Sequence, residues 1–273
     1  GRETACDFWD GRGWWCDLRR PPEGIRSCLG QATEARFALR QRDPTCGLPA
    51  WFDGPGRYGV GRGPQPIARD AARALFGLPQ DRTLLLFGAV NAQADPRKGY
   101  AQLQAGLKTL QARGVHENAA LVVFGSATRG TGQLYGLPVH YLSHLHDETS
   151  LVALYSSADL FVAPSLQDNL PNTVLEANAC GLPSVAFDIG GMSDLIEHRV
   201  SGWLAAADDT DALADGLVYG LREPHWRLAA GRAARAAAVA RFDYPVVAAA
   251  HSALYRQVLT HQASPARGQK AAL

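Results

Sequence analysis

Residues 160–188 read LFVAPSLQDNLPNTVLEANACGLPSVAFD. An apolar run stands at each end, short enough for a strand buried on both faces. Between them, Pro171 suits the first turn of a helix, where its missing N–H costs nothing. Gly181 and then Pro183 stop that helix, leaving about two and a half turns over 172–180. Strand, short helix and strand with apolar strands is the repeating unit of a parallel sheet.

The same grammar extends outward from this stretch. IARDAARALFGLP is an amphipathic helix stopped by Gly77 and Pro79, and TLLLFGAV (83–90) is a buried strand. A helix from Lys98 closes at Gly114, and ALVVFGS (120–126) and VHYLSHL (139–145) are further strands. DETSLVALYSSA is a helix that Asp147 can N-cap. GGMSDLIEH is a short helix and SGWLAAA a last strand, and helices fill 209–222, 224–241 and about 244–260. The fold class is therefore α/β, a Rossmann-like, doubly wound parallel sheet over 67–260, covered by helices on both faces.

Residues 1–66 have a different composition, rich in Arg, Gly, Pro, Trp and Cys, with Ile25 and Val60 as their only β-branched aliphatic residues. No strand that could join a parallel sheet is visible there. The segment is read as irregular or poorly ordered; a Trp-bearing binding arm and an out-of-frame stretch are the other readings. Residues 261–273 are expected to be a disordered tail. Cys6, Cys16, Cys28 and Cys46 lack the close C-x2-C pairs of zinc sites, and Cys180 stands alone.

The chain has 273 residues, 47% of them hydrophobic and 19% charged, with a formal net charge of +1. That balance argues against bulk attraction to nucleic acid. No apolar run approaches the roughly 20 residues that span a bilayer. A cytoplasmic location is expected, with a peripheral contact at the inner face of the plasma membrane as its extension.

Parallel sheets bind ligands at the carboxyl ends of their strands. Gly88 and Gly125 each follow an apolar run there, where a missing Cβ lets a ligand approach the backbone. Arg97 and Lys98 follow at the expected start of a helix, where cations oppose the dipole unless an anion such as a phosphate is present. The helix at 172–180 points its free N–H groups at the same edge, an anion site suited to a diphosphate. Asp168 lies just before that helix and Glu176 inside it, flanking the phosphate position. Carboxylates accept hydrogen bonds from hydroxyls. The pair thus suits a diphosphate with sugar hydroxyls on either side, a nucleotide sugar.

The region 66–260 resembles the nucleotide-sugar-binding C-terminal domain of retaining glycosyltransferases of family 4, which have the GT-B fold. PSLQDNLPNTVLEANACGLPSVAFDIGGMSDLIEHRVSGWLA is similar to that family's E-x7-E region, FGAVNAQADPRKGY to its first phosphate loop, and ADLFVAPS to its approach strand. Within the family the wording is similar to bacterial transferases that build exopolysaccharide or lipopolysaccharide. The resemblance implies that Glu176 holds ribose hydroxyls, that Asp168 replaces the family's first Glu near the donor sugar, and that Lys98 is the phosphate lysine. Gly88-Ala89 stands where Gly-Arg is usual, and Arg97 is the candidate substitute for the missing arginine. Pro171 replaces a common Gly, leaving Asn169, Leu170, Asn172 and Thr173 to offer N–H groups. His144, just past a strand, is expected near the nucleotide.

The resemblance further implies a UDP-, GDP- or ADP-type sugar donor, no cofactor or metal, and a glycan or lipid-linked acceptor. Family members carry an N-terminal acceptor domain that residues 1–66 could not form, so the chain is expected to be an incomplete enzyme with little transfer activity alone. A non-catalytic nucleotide-sugar-binding module and a nucleotide-sugar epimerase fragment remain the alternatives. Three further patterns are assigned to structure or surface. Asp209-Thr210-Asp211 is read as a helix cap rather than a metal-binding D-x-D, and His144-x-His146 as ligand-edge or core histidines rather than zinc ligands. Arg232, Arg235 and Arg241 are read as a basic surface face, with anionic lipid contact as the sharper reading.

Overall fold

A computed structural model describes residues 66–88, 94–126, 129–145 and 147–263. The expectations for the segment before Pro66, for His146 and for the tail beyond Ala263 lie outside the described residues.

Seven strands form one sheet: β1 (Thr83–Gly88), β2 (Ala119–Phe124), β3 (Gly130–Leu134), β4 (Leu137–Tyr141), β5 (Leu160–Ala163), β6 (Ser184–Phe187) and β7 (Gly202–Ala205). Their order is β3-β4-β2-β1-β5-β6-β7. All neighbours pair in parallel except β3, which runs antiparallel to β4 at one edge. The helices are α1 (Arg69–Phe76), α2 (Tyr100–Ala112), α3 (Glu148–Ser157), α4 (Asn172–Ala179), α5 (Met192–Leu195), α6 (Thr210–Arg222), α7 (Pro224–Phe242) and α8 (Tyr244–Ala263).

The central strands are apolar throughout because both faces are covered. Leu85, Phe87, Leu121, Val123, Leu160 and Val162 pack with Leu103, Leu107 and Leu110 of α2 and Leu213 and Leu217 of α6. On the opposite face Tyr155 of α3 meets Phe124 and Phe161 edge-on, at ring-centroid distances of 5.9 and 5.8 Å.

Three boundaries and one added strand correct the sequence reading; the strand expected over 139–145 runs Leu137–Tyr141. The helix expected from Lys98 begins at Tyr100, because Gly99 adopts a left-handed φ of 72° and ends a separate one-turn 3-10 helix, Pro96–Lys98. The hairpin strand β3 was not expected at all. Helix α8 continues to Ala263 and takes in three residues that the sequence assigned to the tail.

At the amino end of the sheet, away from the ligand edge, sits a buried charge cluster. Asp159 precedes β5 and accepts the Leu84 N–H at 2.7 Å. Its carboxylate also receives Arg73 at 2.6 Å and Arg69 at 2.8 Å. None of this was legible as a site, and its role is to fasten α1 to the sheet.

Candidate functional site

The strand order reverses direction of travel between β1 and β5: the chain leaves β1 toward β2 on one side and later returns to β5 on the other. The loops beyond these two strands therefore diverge and leave a crevice at their carboxyl ends. Gly88 closes β1 and Gly125 follows β2, both buried at that edge.

Close backbone contacts hold the crevice loops together. A Cβ on Gly99 would lie 1.7 Å from the carbonyl oxygen of Pro164, so the turn at 95–99 is pressed against the end of β5 in a way only glycine permits. The Leu166 N–H donates to the Arg97 carbonyl at 2.8 Å across the same contact. From the other side, a Cβ on Gly190 (φ 52°) would meet the Asp168 carbonyl oxygen at 2.0 Å, and the Gly191 N–H donates to the Asn169 carbonyl at 2.6 Å. The loop carrying Asp168 is thus sandwiched between two glycine turns.

This packing brings Lys98 and Asp168 together. The Lys98 ammonium donates to Asp168 Oδ2 at 2.8 Å, with the two side chains 27% and 12% exposed. The sequence placed Arg97 and Lys98 at a helix N-terminus, where their charges would call for an anion. Instead they lie on the separate turn before α2, and carboxylates of the chain itself already face them. Arg97 is 67% exposed and grips Asp95 with two hydrogen bonds, at 3.0 and 2.8 Å. That hydrogen bonding holds the Asp95 carboxyl below its ordinary range and raises Arg97. The structure therefore brings Lys98 to Asp168 and leaves the Arg97 guanidinium with Asp95.

Helix α4 starts beyond Pro171, which sits at its N-cap and offers no side-chain cap. Among the described residues, the backbone N–H groups of Asn169, Leu170, Asn172 and Thr173 have no acceptor. Val174, Leu175 and Ala177 are buried, while Asn172, Thr173 and Glu176 form the partly accessible stripe, as positions three and four apart share a helix face.

Glu176 is partly accessible as a residue, yet its carboxyl group is enclosed by protein. Burial pushes that carboxyl up to about 7, and a hydrogen bond from Tyr155 partly opposes the rise. The Tyr155 hydroxyl donates to Glu176 Oε2 at 2.7 Å. Sequence reasoning missed Tyr155. The available signal was a phenol in the otherwise apolar run LVALYSS, since a buried hydroxyl requires a partner.

His144 lies half-buried in the segment leaving β4. Strands β2 and β1 separate β4 from β5, so about 14 Å of sheet lies between their axes. The remaining motifs are structural. Asp209 N-caps α6, its Oδ1 accepting the Ala212 N–H at 2.9 Å. Among the described residues no group of three or more His, Cys, Asp or Glu side chains is placed to hold a metal ion. The basic face is partly consumed internally: Arg235 donates to the Ala179 carbonyl and Arg241 to that of Asp194. No described helix is long and apolar enough to cross a membrane.

Residues 81–223, just over half the chain, match the family described as glycosyl transferases group 1. The chain belongs to that family. Among curated proteins, this group 1 glycosyl transferase chain is 30% identical over 208 residues to the D-inositol 3-phosphate glycosyltransferase of Mycolicibacterium paratuberculosis, covering 75% of this chain and 47% of that protein. The chain thus spans about half the length of the curated relatives it matches. Among solved structures, sucrose-phosphate synthase from Thermosynechococcus elongatus is 26% identical with a TM-score of 0.60, covering 72% of this chain and 50% of that one. Anabaena HepE in complex with UDP-glucose shares the fold at 20% identity, with a TM-score of 0.57 over 72% of this chain and 54% of that one. The architecture is that of one half of a GT-B glycosyltransferase.

Proposed function

We propose that this chain is the donor-binding half of a retaining glycosyltransferase that moves a sugar from a nucleotide diphosphate sugar to a glycan or lipid-linked acceptor. The observation that carries the reading is the convergence at one sheet edge of the Lys98–Asp168 pair, the open amino end of α4 and the enclosed Glu176 carboxyl. The relative's glycosyltransferase name and HepE's UDP-glucose complex support the same donor class.

In this reading the diphosphate takes the N–H groups at the start of α4 and shares the Lys98 ammonium with Asp168. Asp168 then has acceptor capacity for a hydroxyl of the donor sugar, and Glu176 for the ribose diol. As the bond between the anomeric carbon and the diphosphate oxygen breaks, the departing oxygens gain negative charge. The helix dipole and Lys98 face that charge and stabilise it without reorganising. Gly88, Gly125 and His144 are assigned to the wall on the β1, β2 and β4 side, and Arg97 is a peripheral cation. The acceptor is assigned to a separate domain.

Calorimetry with UDP, GDP and ADP tests the binding half of this proposal. Glu176→Ala is expected to lose about 1.5–3 kcal/mol, the contribution of a hydrogen bond to a charged group, or roughly 10- to 150-fold in Kd. Unchanged affinity for every one of the three nucleotides would remove Glu176 from the site and the reading with it. Transfer is tested separately with labelled nucleotide sugars, with and without an acceptor half supplied in trans; turnover is expected only with it.

A further inference from the structure

The donor-site reading leaves one buried group unused. Tyr155 is 1% exposed, in the last turn of α3, wedged between Phe124 of β2 and Phe161 of β5. Its ring cannot swing to another rotamer without displacing these neighbours, so its hydroxyl is held in place against Glu176. That hydroxyl meets Glu176 Oε2 at 2.7 Å. Among the described residues the other oxygen, Oε1, has no hydrogen-bond partner, and it is not one of the polar atoms sealed from solvent without one. The carboxyl is therefore divided: one oxygen is anchored inward by a phenol, and the other, largely enclosed but not sealed from solvent, lies on the stripe shared with Asn172 and Thr173.

We propose that Tyr155 is a positioning residue for nucleotide binding, fixing the rotamer of Glu176 so that Oε1 is presented to the ligand's hydroxyls. This rests on the donor-site reading and adds to it a residue on a different element that never touches the ligand. The anchor has two effects. It removes the rotational freedom that Glu176 would otherwise lose on binding. It also favours the ionised carboxylate, which is the better acceptor for a hydroxyl.

The surroundings leave the phenol as the controlling group. Cys180, one turn further along α4, is a buried thiol pushed up to about 12, so it stays neutral beside the carboxyl. Arg235 of α7 acts on Cys180 and donates to the Ala179 carbonyl. On α5 the backbone carbonyl of Asp194 is held by Arg241. Strands β5 and β6, beneath α4, are buried along their whole length and carry no charged side chain. Lys98 and Asp168 are paired with each other at the mouth.

The test is Tyr155→Phe, which keeps the ring and its packing and deletes the hydroxyl. Two quantities are read across about pH 5.5–8.5: Kd for UDP, GDP and ADP, and the titration midpoint of the Glu176 carboxyl by carbon-13 NMR of labelled, nucleotide-free protein. The expected result has two parts. Binding weakens roughly five- to tenfold at neutral pH, and the carboxyl midpoint moves to higher pH, carrying the pH profile of binding with it. In a Glu176→Ala background, which leaves no side chain to position, the same change is expected to have little effect on Kd, which separates positioning from general damage to the fold. A midpoint that stays in place in Tyr155→Phe overturns the proposal. A midpoint that moves while no nucleotide binds the native chain at any pH instead overturns the donor-site reading on which it rests.

Discussion

Replacing Arg73 by methionine is expected to lower the unfolding free energy by about 3–5 kcal/mol, the usual cost of stranding one partner of a buried ion pair. Both Arg73 and Asp159 side chains are 5% exposed. The Arg73 guanidinium donates to Asp159 Oδ2 at 2.6 Å and to the Ser157 carbonyl at 2.9 Å. It also reaches the carbonyls of Pro79, Gln80 and Arg82 at 3.3, 3.1 and 3.1 Å. Methionine fills much of the volume but leaves these oxygens without their donor. Asp159 would retain the Leu84 N–H and the ion pair with Arg69, which is 48% exposed and screened by water. Lysine at 73 keeps the charge but cannot satisfy a fork of separate acceptors, so it is expected to recover only part of the loss. Urea unfolding of the variants, with Arg69→Ala as the exposed-partner control, gives the ranking. A loss below about 1 kcal/mol for Arg73→Met would show that the cluster does not hold the sheet's amino end.

That cluster also shows what a linear reading can and cannot reach. The parallel sheet was legible because TLLLFG, AALVVF and LFVA are uninterrupted apolar runs, and a run of that kind has few other fates. Caps were legible for the same local reason: Asp147 accepts the Ser150 N–H at 2.8 Å, as its place before an apolar run implies. Strand β3 was not, because GTGQL is exposed on an edge and has no apolar face to mark it. Its only signal is the Tyr135–Gly136 turn, with φ of 48° and 79°, a pair of left-handed residues suited to a tight hairpin. At the candidate site the carboxylates could be singled out from their positions just before and within one helix. Their partners could not. Lys98 and Asp168 are 70 residues apart in sequence, and Tyr155 reaches Glu176 only because α3 and α4 pack on the same face. Pairing across elements follows from topology, which no single stretch of chain encodes.

Between about pH 4 and 8 the largest pH effect is expected at Glu176, where Glu176→Gln should abolish a stability loss of about 3 kcal/mol. The folded-state carboxyl is raised to about 7 from an ordinary 4.5, chiefly by burial. Below the ordinary value both states are protonated, and the group's stability contribution is fully present. As pH rises toward the folded value, the unfolded chain releases its proton while the native chain keeps it. Stability therefore falls through this window, by at most about 1.4 kcal/mol per pH unit, and levels off once the native carboxyl is also ionised. Glutamine keeps the shape, still accepts from the Tyr155 hydroxyl, and carries no proton to lose. The difference in unfolding free energy between the variant and the native chain should accordingly grow from near zero at about pH 4 to about 3 kcal/mol at pH 8. Taking the difference cancels every other group that titrates equally in both proteins. A flat difference would mean that the carboxyl is solvated like an exposed one. An acid at this position would then need no ligand to explain it, and the Lys98–Asp168 pair would remain as the partly buried ion pair of the crevice. A nucleotide that restores stability to the native chain preferentially above about pH 7, and not to the glutamine variant, would tie the cost of the buried charge to the binding it enables.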